Sequence, residues 1–203
     1  LTKLPSGKTI MSNQIHLLRK SGVKEIVVVV GFKKEFLMEE YPDVLYCYNP
    51  FYHVTNTSKS LLQAFESISD DDVIWLNGDV FLDEEVVKRI VTRDGNLIAV
   101  NTAECGEEEV KYKTDSSGIV IEISKKVENA EGEALGINKI TKQDFKKLLN
   151  GLKKCEDHDY FERGMEYAIN DGVKFYPVDV SDCTCVEVDF KKDLEKVLKS
   201  FEK

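Results

Sequence analysis

Residues 26–30 read Ile-Val-Val-Val-Val, five β-branched side chains in a row with no polar one among them. Successive side chains of a strand point to opposite faces, so this run is apolar on both sides. Such a strand must be covered on both faces, which is the habit of a parallel sheet flanked by helices. The first half of the chain supplies the helices. Met11, Ile15 and Leu18 lie at helical spacing within residues 10–20, and Gly22 closes that segment. Residues 33–40 read as a short helix and 44–48 as a strand. Leu61, Ala64, Phe65 and Ile68 form one helical face, and residues 73–76 form a third buried strand. Asp83 is placed to cap a helix whose apolar side is Val87, Ile90 and Val91, with Glu84 and Glu85 at the positive end of its dipole.

After residue 95 the rhythm changes. Residues 96–101, 109–114, 118–123 and 134–140 read as short strands joined by turns, one of them Asp115-Ser-Ser-Gly118. Phe145, Leu148, Leu149 and Leu152 make an amphipathic helix, and Phe161, Met165 and Ala168 the next. Residues 173–180 and 184–188 are strands, and Leu194, Val197, Leu198 and Phe201 belong to a closing helix. The order is β/α units, an antiparallel insert and a helical return. It predicts one α/β domain with a mostly parallel central sheet.

Composition bounds the partners. The 203 residues carry a net charge of −9, with a pI near 5.0. That length suits a single core. A nucleic-acid partner is excluded, because phosphate binding needs clustered Lys and Arg. No apolar run approaches the ~20 residues of a membrane span. Cys47, Cys105, Cys155, Cys183 and Cys185 are odd in number and scattered, and Cys183 and Cys185 have no second pair to complete a zinc site. They read as reduced thiols. Residues 1–15 lack the apolar stretch of a signal peptide, so the expected location is cytoplasmic.

Ligands of open α/β sheets lie beyond the carboxyl ends of the strands. Asn77-Gly78-Asp79 follows the strand at 73–76, and Asp189 follows the strand at 184–188. Two aspartates from distant segments could converge on Mg²⁺, which takes carboxylates, water and substrate phosphates. Strand-end aspartates are equally ordinary helix caps. Residues 49–60, Asn-Pro-Phe-Tyr-His-Val-Thr-Asn-Thr-Ser-Lys-Ser, are dense in amides and hydroxyls that could read a nucleobase edge, or could cap the helix they open. Gly132-Glu133-Ala134-Leu135-Gly136-Ile137 sets two glycines around a carboxylate in strand-like sequence, which signals a close approach of ligand or backbone, or a bulge. Asp157, Asp159, Tyr160, Phe161 and Glu162 combine acids and aromatics. They suit a cationic head group or the solvated start of a helix.

In this order the segments resemble the nucleotidyltransferases that activate small phosphorylated compounds, the bacterial phosphocholine cytidylyltransferases and the sugar-1-phosphate nucleotidyltransferases among them. The matching stretches are Gly7-Lys-Thr-Ile-Met-Ser-Asn-Gln-Ile15, Gly22-Val-Lys-Glu-Ile-Val-Val-Val-Val-Gly31, residues 49–61, Asn77-Gly-Asp-Val80, Gly132 through Ile137, and Val186-Glu-Val-Asp-Phe190 leading into Asp193-Leu194.

The resemblance implies a Rossmann-like fold of the nucleotide-diphospho-sugar transferase kind, with a nucleotide half at about 1–95 and an acceptor half at about 96–203. Asp79 and Asp189 would be the magnesium-binding, catalytic aspartates. Asn56, Ser58 and Gly78 would contact the nucleotide, and Glu133, Gly136 and Glu162 the acceptor. The implied reaction moves a nucleoside monophosphate, CMP from CTP being the first expectation, to a small phosphorylated alcohol or sugar phosphate. Pyrophosphate leaves, and a homodimer is compatible with this scheme. The family opens with an apolar strand and a G-x-G-x-R loop. Here the sequence starts at Leu1-Thr2-Lys3-Leu4-Pro5, in the tail of that signature, with Ser6 where lysine is expected. The domain as written is therefore expected to lack its first strand and phosphate loop and to bind NTP poorly. The alternatives are a non-catalytic scaffold relative and a glycosyltransferase of the same fold. The latter usually shows D-x-D where Asn77-Gly-Asp79 offers one carboxylate.

Overall fold

The computed structural model describes residues 3–4, 7–68, 71–103, 105–106 and 108–200. Leu1, Thr2, Pro5 and Ser6 of the opening signature, and Phe201 of the closing helix, lie outside the described residues. In chain order the elements are α1 (Ile10–Lys20), β1 (Val27–Val30), α2 (Lys34–Glu40), β2 (Leu45–Tyr48), α3 (Thr57–Ser67), β3 (Val73–Leu76), β4 (Val80–Leu82) and α4 (Glu84–Thr92). They continue with β5 (Asn96–Asn101), β6 (Lys111–Thr114), β7 (Val120–Ser124), β8 (Gly132–Ile140), α5 (Lys142–Lys154), α6 (Phe161–Asn170), β9 (Phe175–Asp179), β10 (Cys185–Glu187) and α7 (Lys191–Ser200). The α/β architecture is as expected. The element missing from the sequence reading is β4, whose three residues are too few to show a period.

The chain forms two compact units, each drawing on both halves of the sequence. The first comprises Leu1–Val23, Ile74–Lys139 and Phe175–Lys203, and the second Lys24–Val73 and Ile140–Lys174.

In the first unit the sheet runs β7-β6-β8-β5-β9, with β3 also paired to β8. It is mixed where a mostly parallel one was expected: β5–β9 is parallel, while β5–β8, β6–β8 and β6–β7 are antiparallel. The antiparallel share comes from the insert, whose strands are joined by tight turns such as Asp115–Gly118, closed by Gly118 N donating to Asp115 O at 3.0 Å. A short antiparallel pair, β10–β4, stands apart from this sheet. Leu97, Ile98, Ala99, Val120, Ile123 and Phe175 are completely buried in the core. Helix α1 starts in a capping box, Ser12 N donating to Thr9 Oγ1 at 3.0 Å and Thr9 N to Ser12 Oγ at 3.1 Å. Asp83 caps α4 as the sequence predicts, accepting from Val86 N.

Arg89 of α4 grips Asp182 with two bonds of 2.6 and 2.8 Å and Asp179 O with a third of 3.0 Å. That grip lowers the Asp182 carboxyl from 3.8 to about 2. A depressed carboxyl stabilises the fold above its unfolded value and loses that contribution as pH falls through its folded value. Acid unfolding followed between pH 4 and 2 should therefore be shallower in Asp182→Asn than in wild type, a modest difference because the pair is exposed.

In the second unit β1 pairs with β2 in parallel, Val27 opposite Leu45 and Val30 opposite Tyr48, and α3 packs on both strands. Phe65 of α3 stacks on Phe145 of α5, with centroids 4.8 Å apart and planes 3° from parallel. Helices α5 and α6 approach closely through Gly151 and Gly164, where a β-carbon on Gly151 would strike the carbonyl of Gly164. No helix among the described residues is long and apolar enough to cross a membrane.

Candidate active site

Beyond Leu76 the chain turns through Asn77-Gly78-Asp79 and re-enters a strand at Val80. Two groups hold this turn. Gln14, buried in α1, donates through Nε2 to Asn77 O at 2.9 Å and to Val80 O at 2.7 Å, bracketing the turn. Asn77 N donates to Gly136 O at 3.0 Å. Gly78 is exposed, with open space around its α-carbon, so a ligand could approach its backbone.

The β10–β4 register then decides where Asp189 lies. Glu187 is opposite Val80, and Val188 N donates to Asp79 O at 3.0 Å. Asp189, one residue on, is therefore delivered beside Asp79. The capping reading does not apply to Asp79, because Asp83 caps α4, and in α7 it is Asp193 whose carboxylate accepts from Phe190 N at 3.0 Å.

The electrostatics agree with this placement. Burial pushes the Asp79 carboxyl up, a hydrogen bond to its own backbone opposes this, and the negative charge of Asp189 adds to the rise. Glu187 is pushed up by burial, then by Asp79 and Asp189, against a bond of 3.2 Å from Asn77 Nδ2. Both residues keep solvent contact, so only part of each carboxylate's hydration is lost. Strand alternation explains why Glu187 joins Asp189 on one face.

Carboxylates at two neighbouring strand ends, Asp79 and Asp189, offer hard oxygen donors of the kind magnesium takes. Among the described residues no three His, Cys, Asp or Glu side chains are close enough to enclose an ion by themselves. Magnesium does not need that, since it is commonly held by one or two carboxylates with waters and substrate phosphates completing the shell. Asp79 and Asp189 fit it.

The glycines around Glu133 serve the protein itself. Gly132 is buried, and a β-carbon there would collide with the carbonyl oxygen of Asn101. Gly136 has φ +67, and a β-carbon there would lie 2.7 Å from Asn77 Nδ2. The close approach is thus that of backbone at Gly132 and of the Asn77 side chain at Gly136. Glu133, half-buried between them, accepts from Asn101 Nδ2 at 3.3 Å, and burial raises its carboxyl, with Glu109 adding and Asn101 and Lys196 opposing.

The other predicted contacts fall in the second unit. Asn56 caps α3, its Oδ1 accepting from Thr57 N at 2.8 Å, while its Nδ2 donates to His158 O at 3.3 Å. Ser58 is completely buried, and its N–H faces Asp159 O at 3.3 Å. Of the two, Asn56 fills the capping role that the sequence left open, while the Ser58 hydroxyl is buried within the helix start. Glu162 is buried in the first turn of α6, in the same unit as Asn56 and Ser58. The structure brings Asp79, Asp189, Gly78, Glu133 and Gly136 into one unit and leaves Glu162 in the other. Sequence reasoning missed Gln14, Asn77, Glu187 and Asn101 as parts of the site. Only Glu187 carried a signal, its spacing of two from Asp189.

The cysteines are reduced thiols among the described residues, and burial pushes Cys155 and Cys183 up to about 11 and Cys185 to about 12. Protonated thiols of this kind are poor nucleophiles.

Residues 1–116, more than half of the chain, match the family of MobA-like NTP transferase domains. The chain belongs to that family. It is a nucleotidyltransferase of the MobA-like kind, which separates it from the glycosyltransferases of similar architecture. No curated protein matches this NTP transferase in sequence. Among solved structures it is similar in fold to an inositol-1-phosphate CTP transferase from T. maritima, with a TM-score of 0.80 at 16% identity over 97% of this chain and 83% of that one. It is similar also to the CTP:phosphocholine cytidylyltransferase of Streptococcus pneumoniae, with a TM-score of 0.77 at 18% identity over 98% and 87%.

Proposed function

We propose that this NTP transferase moves a nucleoside monophosphate, CMP from CTP, onto a small phosphorylated alcohol or sugar phosphate in a magnesium-dependent reaction. The observation that carries the reading is the backbone bond from Val188 to Asp79, which seats two distant strand-end aspartates side by side. The two similar structures are CTP transferases with phosphorylated alcohols in their names, which favours that substrate pair over others.

In this reading an oxygen of the acceptor's phosphate attacks the α-phosphorus of the NTP, the bond to the bridging oxygen of the β-phosphate breaks, and pyrophosphate departs. Both reactants are anions, so positioning and charge neutralisation dominate over proton transfer. Magnesium, when bound, would neutralise the phosphates and polarise the α-phosphorus. Asp79 and Asp189 would hold it, and Gln14 and Gly136 fix the turn from which Asp79 projects. In this reading Glu133, held by Asn101, would bind a hydroxyl or cationic group of the acceptor.

Pyrophosphate release from CTP, UTP, GTP and dTTP, each with phosphocholine, inositol 1-phosphate or glucose 1-phosphate, tests the scheme. One nucleotide–acceptor pair should release pyrophosphate only when Mg²⁺ and both substrates are present. Release that persists in excess chelator, or in the absence of any acceptor, would overturn it.

A further inference from the structure

Exposed apolar side chains collect along one side of the second unit: Phe36 and Met38 on α2, Leu45 and Tyr48 on β2. Helix α2 has no buried residue, and Phe36 keeps 61% of its surface in water. A helix ordinarily joins a fold by burying an apolar stripe. Leu45, exposed to 56%, is left uncovered as well.

The strand on this side ends its sheet, since β2 pairs with β1 alone. Leu45 N donates to Ile26 O at 2.9 Å and Asn49 N to Val30 O at 3.0 Å, so these alternate residues turn their backbone groups toward β1. Val44, Tyr46 and Tyr48 lie between them in the alternation and turn theirs outward, along the open edge. Natural edge strands are blunted by lysine, by proline or by a bulge. Leu45-Tyr-Cys-Tyr48 has no lysine and no proline, and its register with β1 runs unbroken.

Charge along this edge is polarised. Helix α2 runs antiparallel to β2. Lys34 Nζ is 4.4 Å from the ring centroid of Tyr48, at the carboxyl end of the strand, while Tyr46 Oη donates to Leu37 O at 2.8 Å and to Tyr41 O at 2.9 Å. Lys33 and Lys34 therefore mark one end of the edge. Glu39, Glu40 and Asp43, all exposed, mark the other. The 2.9 Å pair of Lys34 with Glu35 is exposed and weak, so it does not commit the lysine. An edge that is basic at one end and acidic at the other is complementary to itself turned end over end.

We infer that the open edge of β2 pairs with β2 of a second copy of this chain, antiparallel about a two-fold axis, so that two β1–β2 pairs become one four-stranded sheet. The outward residues fix the register. Residues directly opposite in an antiparallel pair share a face, so a two-fold axis through the sheet must pass beside a residue and not between two. Centring on Tyr46 uses every outward residue: Val44 meets Tyr48 of the other copy, Tyr46 meets Tyr46, and Tyr48 meets Val44. Leu45 then lies opposite Cys47 of the other copy. The same axis runs past Leu37, whose carbonyl takes the Tyr46 hydroxyl. It brings the two α2 helices side by side, with Lys34 toward Glu40 and Phe36 toward Met38 of the other copy. A second copy is the occupant because charge order and strand register are symmetric about one and the same level of the edge. This assembly does not depend on the transferase reading, and each stands without the other.

Sedimentation equilibrium of the whole protein tests this, with thermal melting as the check on folding. Wild type should be a dimer that dissociates on dilution. Leu45→Lys plants a charge on the edge, and Lys34→Glu sets like charges face to face at both ends of the interface. Each should raise the dimer's dissociation constant at least about tenfold while a cooperative melt is kept. Lys34→Glu combined with Glu40→Lys should restore wild-type assembly, which a damaged fold would not permit. Mild oxidation of Leu45→Cys should give a dimer cross-linked through Cys47, because residues opposite at a non-hydrogen-bonded position lie within disulfide reach, and adding Cys47→Ser should abolish it. A wild type that stays monomeric, or a dimer indifferent to both Leu45→Lys and Lys34→Glu, would overturn the inference. A dimer weakened by both changes that Leu45→Cys fails to cross-link would overturn the pairing centred on Tyr46.

Discussion

Asp79→Ala and Asp189→Ala should each lower pyrophosphate release at least ~10³-fold, because removing a group that stabilises transition-state charge in a phosphoryl-type transfer costs on that scale. Neither change should harm the fold. Both residues are exposed at strand ends, and the bond from Val188 N runs to the backbone carbonyl of Asp79, which the alanine variant keeps. In the protein free of ligand, Asp79, Glu187 and Asp189 repel one another. Removing one charge should leave thermal stability equal or slightly raised. Kinetics and melting curves on the same preparations check both halves. A variant that loses activity and melts much earlier than wild type would point to damage of the fold instead of loss of a ligand to the metal.

The second large effect is expected at Gly132, and it concerns stability. A β-carbon at this position meets the backbone of Asn101 and Thr102, which cannot swing away as a side chain would. Gly132→Ala must therefore push β8 from β5, the pair that sets Glu133 opposite Asn101. Overpacking against backbone costs roughly 1–3 kcal/mol. Gly78→Ala is the control. Its α-carbon faces open space and its φ is not in the left-handed region, so stability should stay within about 0.5 kcal/mol of wild type. A reversed order in urea unfolding would contradict the packing described for β8.

These expectations show what could be read from the chain alone. Residues 26–30 announced a strand covered on both faces; the structure places β1 there, next to β2 in parallel, but buries only Val30 and leaves Val27, Val28 and Val29 half-buried. Asp83 was legible as a cap because the pattern Asp-Glu-Glu before an apolar face is local. The register of β10 on β4 was not legible, since it joins residues more than a hundred apart and depends on a three-residue strand with no period. Without it, Asp79 and Asp189 could be associated only as strand-end carboxylates and through resemblance to a family. The glycines at 132 and 136 were read as points of close approach or a bulge; the structure has a close approach at each and a register shift of β8 against β5 across residues 134–138, and what approaches each glycine was a matter of tertiary packing. Asn56 and Ser58 illustrate the converse: residue types that suit a nucleobase equally suit a helix start, and here the carbonyls of residues 157–159 meet those donors.

Binding of Mn²⁺ in place of Mg²⁺, followed by electron paramagnetic resonance in wild type, Asp79→Ala, Asp189→Ala and the double variant, tests the pairing of the two aspartates most directly. Ligands to one ion should be strongly non-additive, so each single change should weaken Mn²⁺ binding in the presence of CTP nearly as much as both together. Independent, additive losses, or full affinity in either single variant, would contradict a shared ion.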